Sequence, residues 1–130
     1  MVQASNIVGS LIIPEATVQS IRDSWSKETT AYAGWSSELP EAGQCAVTAL
    51  LVQDIVGGVL MRAVVNGESH YWNKMDNGTE IDLTRAQFQE PLVFEDVMER
   101  DRDYLIGNRA TLMRYGTLTH NFYLNFMANA

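Results

Sequence analysis

One cysteine, Cys45, stands in 130 residues, so no internal disulfide can staple this chain. A chain of this length is about the usual size of one domain and can bury a core without such staples. The expectation is one domain over residues 1–130, and the unpaired thiol fits a reducing, cytoplasmic setting. Basic residues are few: nine Lys and Arg face 16 Asp and Glu, for a formal net charge of -7. That balance argues against a general attraction to nucleic acid or to an anionic membrane surface. No stretch approaches the ~20 apolar residues of a spanning helix. The early "NIVGSLIIP" is apolar but short, with no basic flank and no small-residue cleavage pattern, so it is not read as a signal peptide. There is no P-loop, no Gly-rich dinucleotide fingerprint, no CxxC or HxxxH metal spacing, no repeat and no low-complexity tract. No cofactor is expected.

What is present reads as α+β, with a central helix packed on a small antiparallel sheet. The segment before Pro14 is expected to be extended or loose. Pro14-Glu15 opens a helix to about Trp25, with Val18, Ile21 and Trp25 on its core face. Residues 26–44 are rich in Ser, Thr, Gly and Pro and form a long loop carrying Trp35, a length that is often functional. The next helix, Cys45 to Val56, is apolar or small nearly all round, hence central, and Gly57-Gly58 stops it. Three strands follow: Val59 to Val65, Ser69 to Met75 and Thr79 to Thr84. Asn66-Gly67 gives the first pair a strong hairpin signal. After Pro91 the pattern turns helical. "FEDVMERDRD", Phe94 to Asp103, reads as a solvated helix face. A last helix from about Asn108 to Ala128 carries Leu112, Tyr115, Phe122 and Phe126, a stripe that reads as core or as a dimer seam. Monomer and homodimer both stay open.

Cys45 is the natural candidate for chemistry. At the first turn of its helix the free N–H groups and the positive end of the dipole favour a thiolate, the nucleophilic form. The plainer reading is a small buried hydrophobe, since free cysteine is among the most buried residue types. Gly43 lets the chain turn sharply and a substrate come close. A nucleophilic thiol wants a base, and the base an orienting group. Of two histidines, His120 in the last helix reads as surface or partly buried. His70 lies mid-strand, where it can meet the N-terminus of the central helix.

The third group depends on hairpin register. A two-residue loop, Asn77-Gly78, puts Asp82 opposite Asn73, facing away from His70. A three-residue loop, Asp76-Asn77-Gly78 with Gly78 in the left-handed region, puts Trp72 opposite Asp82 and Lys74 opposite Glu80. Asp82 then shares a face with His70, roughly 7–8 Å away along the diagonal and within side-chain reach. The opposite-charge pair and the pairing of Tyr71 with Leu83 favour this register. Asp82 could instead cap Thr84 or pair with Arg85, and Asn73 is a rival orienter on the wrong face. Gln44 and the Trp25-Ser26 turn are candidates for an oxyanion donor beside the Cys45 N–H, and Trp72 for a wall of the site. The three tryptophans have packing as their simpler role. Cys45, His70 and Asp82 could also form a three-ligand zinc site, but no metal-ligand spacing supports it and no metal is expected.

"GQC.....A" opening a helix, then "G.SHYWN", then "G.E.DLT", resembles the transglutaminase-like branch of the papain-like cysteine enzymes. The resemblance covers about a third of the chain, Gly43 to Thr84. It implies Cys45 as nucleophile, His70 as base and Asp82 as orienter. The stretch from "SWS" through "GQCAVTALLVQD", "VNGESHYWN" and "DLTRAQF", with "RY" at Arg114-Tyr115, is similar to a YunG-like family of small uncharacterised bacterial proteins. The chain is much shorter than the larger transglutaminase-like enzymes, leaving little room for a separate substrate domain. Two functions are therefore expected. One is a cysteine hydrolase or acyltransferase acting on an amide or ester of an unknown peptide, protein or small molecule. The other is a non-catalytic interaction or regulatory module on the same fold.

Overall fold

A computed structural model describes residues 13–88 and 92–129. The expectations for residues 1–12 lie outside it. Helix α1 runs Glu15–Arg22, with Pro14 just before its first turn. It ends three residues short of Trp25 because Ser24 donates its hydroxyl to Ser20 O at 2.6 Å and the chain tightens into shorter-range bonds, Ser24 N to Ile21 O and Trp25 N to Arg22 O. Val18, Ile21 and Trp25 are nonetheless all buried in one core.

Residues 23–44 hold no helix or strand and fold back on themselves. Thr30 donates to Ala42 O at 2.6 Å, Ala31 N to Gly43 O at 2.9 Å, and the Trp35 indole to Pro40 O at 3.0 Å. The loop therefore delivers the chain in a fixed pose to α2, Cys45–Val56. Helix α2 buries Val47, Ala49, Leu50, Leu51 and Val52.

Four antiparallel strands follow: β1 Val59–Val65, β2 Glu68–Lys74, β3 Glu80–Ile81 and β4 Phe94–Arg100, in spatial order β3-β2-β1-β4. The β1-β2 turn has Asn66 at φ 53° and Gly67 at φ 81°, the left-handed pair of a tight hairpin. Between β2 and β3, Lys74 pairs with Glu80 and Asn73 with Ile81. Gly78 has φ 88° and donates to Met75 O, which is the three-residue loop. Strand β3 is shorter than its sequence pattern, because the chain leaves the sheet after Ile81 and winds into a short 3-10 turn, Arg85–Gln87.

The sheet has two apolar faces. Leu60 and Tyr71 pack with Ala49 and Leu50 of α2. Ala63, Val65 and Trp72 point the other way and are covered by Met61, Phe88, Leu92 and Phe94.

Phe94–Arg100 is a strand, not the helix face its charges suggest. Asp96 sits at φ 54° and the pairing with β1 slips between Arg62 and Val64. That bulge breaks the two-residue alternation, so the charges fall at helix-like intervals. As an edge strand, it gains protection against stray pairing from its charge.

Helices α3 Arg102–Ile106 and α4 Arg109–Ala128 complete the chain. Asn108 caps α4, its side chain accepting from Thr111 N at 3.0 Å. The buried stripe of α4 is Thr111, Leu118 and Phe122, with Tyr115 packed against it, while Leu112 and Phe126 face outward. Arg102 ties these helices to α2: it donates to Gln53 at 2.8 Å and to the Tyr115 hydroxyl at 2.7 Å, and pairs with Asp54 at 2.8 Å. Tyr115 in turn donates to Asp54. Among the described residues no helix is long and apolar enough to cross a membrane.

Candidate active site

Cys45 is the first residue of α2, so its backbone N–H belongs to the first turn. That turn has no side-chain cap and no acidic residue. Its free N–H groups are thus available to a negative charge. Because β3 pairs only with Asn73 and Lys74, no strand among the described residues pairs with Ser69 to Trp72 on that side. The start of α2 meets β2 there, with the Cys45 sulfur 3.9 Å from Ser69 O.

His70 is wholly buried and Asp82 is 3% exposed. His70 Nε2 donates to Asp82 Oδ2 at 2.7 Å. Arg85 Nε lies 3.4 Å from the same carboxylate oxygen, so the alternative partner for Asp82 is present beside the histidine rather than in its place. The imidazole stacks on Trp72 at 5.7 Å and meets the edges of Phe88 and Phe94 at 4.9 and 6.0 Å. With Nε2 engaged, Nδ1 is the nitrogen left over, and it has no bonded partner. No hydrogen bond joins that nitrogen to the Cys45 thiol, whose sulfur lies against the carbonyl of the preceding residue, Ser69, at 3.9 Å. Apo sites often show such loose contacts.

Burial is the strongest influence on His70 and by itself disfavours the imidazolium. The hydrogen bond and charge of Asp82, with a smaller influence of the Cys45 sulfur, outweigh it, and His70 is pushed up to about 9 from 6.5. At neutral pH the ring is therefore a proton donor. Among the described residues no group of three or more His, Cys, Asp or Glu is arranged to hold a metal ion.

The profile of a family described as YunG protein matches residues 14–126. The chain belongs to the YunG family. Uncharacterized protein YunG of Bacillus subtilis (strain 168) is 36% identical over 89 residues, covering 68% of this chain and 75% of that protein. No solved structure matches. The span matched by the YunG profile contains every residue of the site.

Several side chains considered for this YunG-family site are placed elsewhere. Gln44 is wholly buried, accepts from Thr29 at 2.7 Å and donates to Ser26 O at 3.1 Å, so its amide is turned into the loop and does not line the cleft. It fixes the start of α2 instead. The Trp25 indole donates to Thr48 at 2.8 Å within the core. Trp72 is buried behind His70, and like His70 and Asp82 it lies beneath the cleft surface rather than lining it. Asn73 points to α2, its amide donating to Ala49 O at 2.9 Å, and His120 is exposed.

Cys45 opens into a cleft of about 680 Å³. The 26–44 loop supplies one wall through Tyr32 and Leu39, β2 another through Ser69 and Tyr71, and Gln87 and Arg114 close the rest. Gln87 was invisible as a site residue in the sequence. It accepts from Gly43 N at 3.1 Å across 44 positions. Gly43 sits at φ 73°, and a Cβ there would lie 2.3 Å from Thr30 Oγ1 and 2.6 Å from Tyr32 N. The glycine is thus required by the loop that packs on it. Gly43→Ala is expected to cost about 2 kcal/mol or more in urea unfolding, from backbone strain plus overlap.

Proposed function

We propose that this chain is a cysteine-dependent hydrolase or acyltransferase of amide or ester bonds, with Cys45, His70 and Asp82 as its working residues. The observation that carries the reading is the buried His70–Asp82 pair at 2.7 Å, which leaves Nδ1 without a partner one residue along from Ser69, whose carbonyl oxygen lies 3.9 Å from the Cys45 sulfur. A carboxylate in that place holds one tautomer and one ring orientation. The arrangement also supports a papain-like or transglutaminase-like core, since the cysteine starts the helix that packs on the sheet, while histidine and carboxylate come from β2 and the residue after β3.

In the reaction the Cys45 sulfur, as thiolate, attacks the substrate carbonyl carbon. The Cys45 backbone N–H and the start of α2 stabilise the oxyanion. His70 gives its Nδ1 proton to the leaving nitrogen or oxygen as the carbonyl bond to it breaks, leaving a thioester. Neutral His70 then takes a proton from water or an amine, which attacks the thioester. The carbon–sulfur bond breaks, and thiolate and imidazolium are restored.

The test is p-nitrophenyl acetate with detection by intact mass. An acetyl group on Cys45 together with p-nitrophenolate beyond one equivalent is expected, both lost in Cys45→Ser. Equal release by the variant, with no adduct on the native chain, would favour the second reading, a non-catalytic interaction module. The observation behind that alternative is the run of apolar side chains facing outward on α4 and β4, among them Met113, Leu124, Met127 and Val97.

A further inference from the structure

The cleft beside Cys45 is lined by two charged side chains among the described residues, Glu68 and Arg114. Arg114 rises from the first turns of α4, is partly buried, and has no carboxylate within ion-pair distance among the described residues. Among the described residues its one side-chain bond is a long one, 3.4 Å to Thr111 Oγ1, and its Nε is shielded from water without a partner there. Arg22 faces Glu41, Arg85 faces Asp82 and Arg102 faces Asp54, while Arg62, Arg100 and Arg109 share with Arg114 the lack of a carboxylate among the described residues but do not line this cleft. In a chain with 16 acidic and nine basic residues, an unmatched guanidinium turned into a cleft is a site short of its anion. A cleft of about 680 Å³ has the size of a small-molecule site.

We propose that Arg114 binds a carboxylate of the substrate, so that the acyl donor is a small amide or ester bearing a free carboxylate. This rests on the catalytic reading of Cys45. The planar fork of arginine matches a carboxylate through two parallel bonds, which fixes the donor's direction in the cleft as well as its affinity. The overall charge of -7 repels anions, so any preference for one must come from a local group.

Affinity labels separate the two readings. Cys45 displaces iodide from the methylene carbon of N-iodoacetyl-glycine or N-iodoacetyl-γ-aminobutyric acid, each compared with its uncharged primary amide, and mass spectrometry gives the rates. At least one acid is expected to react about tenfold faster than its amide in the native chain, the size of a charged hydrogen bond. Arg114→Gln brings that ratio to about one, and Arg114→Lys keeps part of it. A ratio of one or less at both lengths in the native chain, or a preference that survives Arg114→Gln, overturns the proposal. A phosphate-bearing iodoacetyl probe that outpaces both acids overturns the carboxylate assignment. The uncharged amides alone report on the thiol: slow reaction with them counts against the catalytic reading whatever the ratio. A sulfur that no probe alkylates overturns both.

Discussion

Asp82→Ala is expected to lower the free energy of unfolding by about 3–5 kcal/mol, because it leaves His70 buried without its partner. The carboxylate lies at 2.7 Å from Nε2 in a site with almost no water. Removing it takes away the main influence that favours the imidazolium, so the imidazole should titrate well below 9. The same substitution should alter the pH dependence of stability. In the native chain the His70 ionisation is raised on folding, so the stabilisation it brings is complete below about pH 6.5 and is lost as pH rises through about 9. Urea unfolding across that window should show the decline in the native chain and not in Asp82→Ala. Asp82→Asn can still accept the Nε2 proton and should recover part of the stability but little of the raised titration.

His70→Ala is expected to reduce acyl transfer by about 10²–10⁴-fold, the usual contribution of a positioned acid or base. The loss has two sources in this geometry. Without the imidazolium the leaving group must depart unprotonated, and without the neutral ring the deacylating water or amine has no base. Steady-state release of p-nitrophenolate by native chain and variant measures it. A stopped burst, in which the acyl group forms on Cys45 and stays there, would locate the loss in the second half of the reaction.

Much of the fold was legible because short signals decide it locally. The run from Ala46 to Ile55 admits only a central helix, and Gly57-Gly58 ends it where α2 ends. Asn66-Gly67 fixed the first hairpin, and the choice between two loops at Asp76-Asn77-Gly78 carried the register that turns Asp82 toward His70. Strand β4 was hidden because the bulge at Asp96 shifts its alternation out of phase, and nothing local records a bulge. The outward turn of Leu112 and Phe126 was hidden for a similar reason: both fit a helical stripe, and which stripe faces inward is set by how α4 docks on α2.

At the candidate site the order Cys45, His70, Asp82 could be read from the chain, but the engagement of each donor could not. Gln44 sits beside Cys45 in sequence, yet Thr29 and Ser26, from the far end of a long loop, occupy its amide. The cleft is made of pieces that only the folded chain assembles, as the bond from Gly43 to Gln87 illustrates. Arg114 was visible only as part of a resemblance, and its want of a carboxylate is a property of three dimensions.

The most direct measurement is the rate of Cys45 alkylation by iodoacetamide from pH 5 to 10, in the native chain and in His70→Gln. If the sulfur and the imidazole share a proton, native Cys45 reacts about tenfold or more faster than the variant below neutral pH, and the two rates converge as the pH rises. Superimposable profiles would mean that the two groups do not communicate, and the catalytic account would fail.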